Sequence, residues 1–234
     1  MRYLWAAASH RGMVRENNED SIYPTTGGAS TEGALLIVAD GMGGHVAGEV
    51  ASRIAINAAA SSELDASDRV AAANRAIREE VARQPSLEGM GTTMTLLSVE
   101  DGMATLGHVG DSRAYLLRDG MLTQMTEDHT VAAEYVAMGQ LSSAEASTHP
   151  QRHMLTRTLG LARFVNVDED SIELMEGDRF LLCSDGLTEM VDEEVIGRQL
   201  GEGTPEEVAW KLVELANEAG GIDNVSVIVL EVAG

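Results

Sequence analysis

Three apolar runs in this 234-residue chain each break off at an aspartate beside a glycine. Residues 35–39 lead to Asp40-Gly41, residues 106–109 to Gly110-Asp111, and residues 180–183 to Ser184-Asp185-Gly186. A fourth aspartate, Asp223, follows Gly220-Gly221-Ile222 and stands just before the apolar run 225–230. Carboxylates at strand ends sit on stiff supports, and a tight group of them is the common way to hold hard divalent cations, which prefer oxygen ligands. Taken singly, each Asp-Gly is a turn signal. Four of them, each abutting a strand-like run, favour a metal site formed by Asp40, Asp185 and Asp223. Two ions bridged by carboxylates clamp the oxygens of an in-line displacement. Few histidines lie near these aspartates, and Cys183 is the only cysteine, which weighs against zinc and toward Mg²⁺ or Mn²⁺.

A cation stands beside further carboxylates in Arg15-Glu16-Asn17-Asn18-Glu19-Asp20. An arginine grips a phosphate through two parallel hydrogen bonds. With a formal net charge of −22, this chain needs such a cation, together with metals, to overcome repulsion of a phosphate ligand. A surface ion pair from Arg15 to Glu16 or Glu19 accounts for the arginine equally well.

The elements that must position these residues are legible in outline. Residues 33–39 read as a buried strand, and a helix follows from Gly44 with Val46, Val50 and Ile54 four apart. A second helix runs from about 68 to 83 and stops at Gln84-Pro85-Ser86. Short strand-like runs at 92–99, 103–109, 113–117 and 121–125, separated by turn signals, predict an antiparallel meander. Helical patterns return at about 128–138 and 143–148, the second with Ser142 and Glu145 spaced as a capping box. Segment 149–170, which carries Arg152, His153, Arg157 and Arg163, reads as a loop or flap. A hairpin is expected at 171–175 and 179–184. The last helix has Thr204 as N-cap, Pro205 at the first helical position, Glu207 closing a capping box and Gly220 as its stop. Strand 225–232 closes the chain. The first eight residues read as an edge strand rather than a signal peptide, because Arg11 and Arg15 follow at once. This order predicts α+β layers over antiparallel sheets, in one domain spanning 1–234, rather than alternating βαβ units.

Bulk properties narrow the function. The charge of −22 argues against nucleic-acid binding and against docking on anionic membranes. No apolar run approaches the ~20 residues that span a bilayer. The single cysteine forbids an intrachain disulfide and suits a reducing compartment, so a cytoplasmic monomer is expected. Aromatic residues make up 3%, which leaves aliphatic side chains and 12 methionines to fill the core.

The motifs taken in order resemble one family. They are Arg15-Glu16-Asn17-Asn18-Glu19-Asp20, Val38-Ala39-Asp40-Gly41-Met42-Gly43-Gly44-His45, Gly91-Thr92-Thr93, Gly107-His108-Val109-Gly110-Asp111-Ser112-Arg113, Leu182-Cys183-Ser184-Asp185-Gly186-Leu187 and Asp223-Asn224-Val225-Ser226. Their sequence is similar to that of the PPM family, the metal-dependent type 2C protein Ser/Thr phosphatases, and to its bacterial branch above all. The resemblance implies a four-layer α-β-β-α sandwich, two central antiparallel sheets flanked by helix pairs. It implies hydrolysis of phosphoserine and phosphothreonine in proteins by attack of a metal-bridging water, in opposition to a bacterial Ser/Thr kinase and its phosphorylated substrates. Carried over by motif, Asp40 bridges two Mn²⁺ or Mg²⁺ ions, the Gly41 carbonyl binds one of them, and Asp185 and Asp223 complete the other. Glu19 and Asp20 fall where metal-bound waters are held or oriented, Arg15 where the phosphate is gripped, and Asp111 where a third, looser ion is held. Met42 occupies the position at which animal members carry a histidine proposed as general acid. The proton donor is therefore open among His45, His10 and a metal-bound water. Two rivals remain: a small-molecule phosphatase or phosphodiesterase on the same metals, and a non-catalytic phosphoprotein-binding relative. The intact Arg15, Asp40, Asp185 and Asp223 speak against the second.

Overall fold

Every residue from Val225 to Leu230 is buried, so this strand lacks the in-out alternation of a half-exposed one. It belongs to a sheet that is covered on both faces. The computed structural model describes residues 1–43 and 47–234. In chain order its elements are β1 (Arg2–His10), β2 (Ser21–Tyr23), β3 (Gly28–Ser30), β4 (Gly33–Ala39), β5 (Gly41–Met42), α1 (Ala47–Ala60), α2 (Ala66–Arg83), β6 (Gly91–Thr92), β7 (Met94–Glu100), β8 (Met103–Val109), β9 (Arg113–Arg118), β10 (Met121–Gln124), α3 (Val131–Ala137), α4 (Ser143–Ala146), β11 (Asp168–Glu173), β12 (Arg179–Cys183), α5 (Asp185–Thr188), α6 (Glu193–Leu200), α7 (Pro205–Glu218) and β13 (Val225–Ala233).

One sheet runs β10-β9-β12-β13-β1-β3 and a second β11-β8-β7-β4-β2, with β5 and β6 as a separate ribbon. Every strand pairing is antiparallel. Three apolar layers hold them. Leu36, Val38, Leu97, Leu116, Phe180 and Ile228 meet between the sheets. Ile37, Leu96, Ala55 and Ile77 join the five-stranded sheet to α1 and α2. Leu181, Val227, Ile196 and Leu212 join the six-stranded sheet to α6 and α7. The result is the expected α-β-β-α sandwich. No helix among the described residues is long and apolar enough to cross a membrane.

Local signals explain several boundaries. The capping boxes Ser142–Glu145 and Thr204–Glu207 both form, the second with Pro205 in the first turn of α7. Other expectations need correction. β1 is not an edge strand: it pairs with β13 from Arg2↔Ala233 to His10↔Val225 and with β3 on its other side. The run 92–99 breaks at Thr93, because Gly91 and Thr92 leave the main sheet to pair with Met42 and Gly41. The strand expected at 171–175 begins at Asp168, three residues early, and pairs with β8 through Asp168↔His108 rather than forming the expected hairpin with β12, which lies in the other sheet; the expected meander is likewise split, with β7–β8 in one sheet and β9–β10 in the other. Helix α3 starts only at Val131, capped by the Thr130 side chain, and α6 was not anticipated.

Candidate metal centre

Strand pairing carries the predicted residues to one end of the sandwich. The β1–β13 register ends at His10↔Val225, so loop 11–20 lies against Asp223, just ahead of β13. Asn224 stitches the two together. Its side-chain amide donates to the Arg11 and Asn17 carbonyls at 2.9 Å each, while its Oδ1 accepts from the Glu19 amide at 2.8 Å. Asp40 leaves β4 opposite Thr93, whose amide donates to the Asp40 carbonyl at 2.9 Å and whose hydroxyl accepts from the Asp40 amide at 2.9 Å. That hydroxyl also bonds Ser112, beside Asp111, at 2.8 Å. Asp185 opens α5 at the end of β12.

Gly41 is needed for a different reason from a sharp turn. A Cβ there would lie 2.1 Å from the Gly48 carbonyl oxygen, and one on Gly48 would lie 2.7 Å from the Gly41 oxygen. The two glycines let the first turn of α1 press against the loop after Asp40. The left-handed conformation falls on Gly43, with φ +132°.

Arg15, Glu19, Asp40, Gly41, Asp111, Asp185 and Asp223 line one open cavity of about 580 Å³. Asp20 lies beneath it, buried, with its Oδ2 accepting from the Ser184 hydroxyl at 2.8 Å. Arg15 reaches the cavity and pairs there with Asp223 at 2.5 Å. His45 lies outside the described residues. His10 does not line the cavity; its Nδ1 accepts from the Gly12 amide at 3.1 Å.

Negative charge accumulates here without enough cations to balance it. Burial, then the charges of Asp20, Asp185 and Asp111, push Asp40 well above the usual carboxylate range. Burial, then Asp185 and Asp128, raise Asp111. Burial and Asp223 raise Asp185. Asp20 is pushed up to about 7, by burial first and by the Asp185 and Asp223 charges, against hydrogen bonds from Ser226 and Ser184. Two carboxylate oxygens, Asp20 Oδ1 and Asp185 Oδ1, are buried with no hydrogen-bond partner. An orphaned buried acceptor is costly unless something positive meets it. Hard oxygen donors that repel one another and lack donors fit divalent cations.

Comparison with known proteins agrees. Residues 8–203 match the family model described as "Protein phosphatase 2C". The chain belongs to the protein phosphatase 2C family. It is 46% identical over 239 aligned positions to the serine/threonine protein phosphatase PstP of Mycobacterium tuberculosis, covering 97% of this chain and 45% of that protein. The chain thus spans under half the length of that relative. A crystal structure of the M. tuberculosis phosphatase PstP/Ppp superposes with a TM-score of 0.92 at 44% identity, covering all of both chains. The PstP catalytic domain solved with two manganese ions gives 0.88 at 43% identity, again over both whole chains.

Two side chains of this phosphatase 2C site were not assigned from the sequence. His153 Nδ1 meets Glu189 Oε1 at 2.5 Å, and with Asp185 they bring ligand atoms within 4.8 Å of one another. Glu189 stands four residues after Asp185, one helical turn on, and that spacing was its available signal. His153 comes from a segment with no regular element, so no periodicity marks it.

Proposed function

We propose that this chain is a metal-dependent phosphatase that hydrolyses phosphoserine and phosphothreonine in proteins. The observation that carries this reading is the convergence of Asp40, Asp185, Asp223, Glu19 and Asp111 with Arg15 on one cavity. The manganese-bound PstP domain supports two divalent cations as the cofactor. Residues 1–234 are read as one catalytic domain acting as a cytoplasmic monomer, in keeping with the single buried cysteine and with the mycobacterial catalytic domain matched over its whole length. A Ser/Thr kinase whose products it reverses is the implied partner.

Asp40 would hold both cations, with the Gly41 carbonyl on one and Asp185 and Asp223 on the other. Glu19 and Asp20 would orient waters around them, and Asp111 would hold a third ion more loosely. The cations supply the positive charge that acidifies a water and offsets the phosphoryl oxygens. Arg15 orients the phosphate with its guanidinium fork. The attacking water's oxygen bonds phosphorus as the bond to the serine or threonine oxygen breaks, and its proton leaves on the alcohol. No side chain becomes phosphorylated. Two features disfavour a cysteine route: Cys183 is fully buried, and its thiol is pushed up to about 12 by that burial.

The test is phosphate release from a phosphothreonine peptide with Mn²⁺, with Mg²⁺ and with excess chelator. Release is expected only with a cation; full activity under chelation overturns the reading. Arg15→Ala is expected to raise KM for the phosphopeptide about tenfold or more, the loss of roughly 1.4 kcal/mol or more of phosphate binding. An unchanged KM would mean that Arg15 serves only its ion pair with Asp223.

A further inference from the structure

His129 is buried, lies outside the cavity lining and has no part in the proposed chemistry, yet all four of its polar groups are engaged. Its amide donates to the Gly110 carbonyl at 2.8 Å, and the Gly110 amide donates back to its Nδ1 at 3.0 Å. Its carbonyl accepts from the Thr156 amide at 2.8 Å. Its Nε2 lies 3.0 Å from Asp168 Oδ2. Because Nδ1 accepts from a backbone N–H, the neutral ring carries its proton on Nε2 and donates it to Asp168. The other oxygen of Asp168 takes Arg157 Nη1 at 2.5 Å, which fixes the carboxylate and hence the ring. Burial keeps His129 below its ordinary pKa and so uncharged at neutral pH.

The residue it clasps adjoins Asp111. Gly110 has φ +116°, and a Cβ on it would lie 2.5 Å from the Thr93 side chain, so this turn is tightly confined. The preceding residue grips the turn's other end: Asp128 takes Arg113 Nε at 2.8 Å and Nη2 at 2.7 Å. Asp128 and His129 therefore bracket Asp111 from both sides. We propose that His129 is a positioning residue that holds the Gly110–Asp111 turn so that Asp111 presents its carboxylate to the weakest-bound cation. The proposal rests on the reading of Asp111 given above. Groups that fix a metal ligand's orientation typically change metal affinity by about 10- to 100-fold when lost.

Two substitutions separate positioning from general support. In His129→Asn the amide oxygen can take the place of Nδ1 and keep the bond from Gly110. In His129→Gln the amide reaches toward Asp168 and the Gly110 bond is lost. Calorimetric titration of the full chain with Mn²⁺ alone should show the weakest site about tenfold weaker in His129→Gln, near wild type in His129→Asn, and the tighter sites unchanged in both. Equal weakening in both variants, loosening of every site, or no change in His129→Gln overturns the inference. Should His129→Gln not fold, His129→Leu likewise removes the acceptor of the Gly110 amide, and the weakest site should again loosen about tenfold; an unchanged site is decisive against the inference. Asp111→Ala distinguishes the two readings. If that variant loses the weakest ion while His129→Gln keeps it, only the role of His129 fails. If Asp111→Ala keeps every ion, the assignment of Asp111 fails and this inference with it.

Discussion

Asp40→Asn is expected to lower phosphopeptide turnover at least about a thousandfold while raising the melting temperature of the chelated protein. The first effect follows from the position of Asp40 between the remaining carboxylates. Losing a ligand proposed to serve both cations need cost only about 4 kcal/mol of transition-state stabilisation to give that factor. The second follows from the same crowding. Asp40 is held well above the usual carboxylate range by burial and by Asp20, Asp185 and Asp111. An asparagine has the shape of the protonated acid, keeps a donor for Asp185 and stays neutral without the cost of holding a proton. Relief of about 1–2 kcal/mol corresponds to roughly 3–6 °C for a domain of this size. Steady-state kinetics with Mn²⁺ and thermal unfolding under chelation check the two halves. Near-normal turnover would mean that the centre is misplaced. A lower melting temperature would mean that the ionised Asp40 holds the fold together rather than straining it.

That opposition between function and stability also explains why the site could be read before the structure. Asp40, Asp111 and Asp185 each break off an apolar pattern where a strand must end, Asp223 stands just before one begins, and a carboxylate at such a point has no packing role to fill. Their convergence was less legible. Pairing of β1 with β13 brings Arg15 beside Asp223, 208 residues away along the chain, and hydrophobic periodicity carries no record of which strands pair. For the same reason β1 looked like an edge. Asn224 sat inside a recognised motif, but its task, tying loop 11–19 to Asp223 by three hydrogen bonds, depends on backbone groups that composition does not reveal. Gly41 suggested a turn; only the position of Gly48 shows that it serves close approach. Helix α6 was missed because eight residues with Gly197 within them give a weak helical signal.

With cations chelated, the protein is expected to lose stability as pH rises from 6.5 to 8, and saturating Mn²⁺ is expected to reverse that slope. The sign follows from which state binds more protons. An unfolded aspartate titrates near 3.9. Folded Asp20 does so at about 7, raised by burial and by the Asp185 and Asp223 charges, and Asp40, Asp111 and Asp185 are raised as well. Between those limits the folded chain holds protons that the unfolded chain has released, so stability falls with rising pH. Carboxylates shifted the other way do not interfere, whereas His108, His129 and His153, held below the ordinary histidine value chiefly by burial, add stability as pH rises from 5 to about 6.5, so the decline is read between pH 6.5 and 8. Asp168, lowered by His129 and Arg157 against the opposing effect of burial, loses its stabilising contribution only as pH falls below the ordinary carboxylate range. Each pH unit across the window weakens the fold by up to about 1.4 kcal/mol per group, so a fall in melting temperature on the order of 5 °C or more is expected. Cations compete with those protons. Their binding strengthens as the carboxylates ionise, and at a hundredfold excess over Kd one site contributes about 2.7 kcal/mol. Thermal unfolding at pH 5, 6.5 and 8, with chelator and with Mn²⁺, measures both slopes. A chelated protein whose melting temperature holds level or climbs from pH 6.5 to 8 would show that these carboxylates are ionised without cost. The electrostatic case for a metal centre at this cavity would then fail, whatever the enzyme's activity.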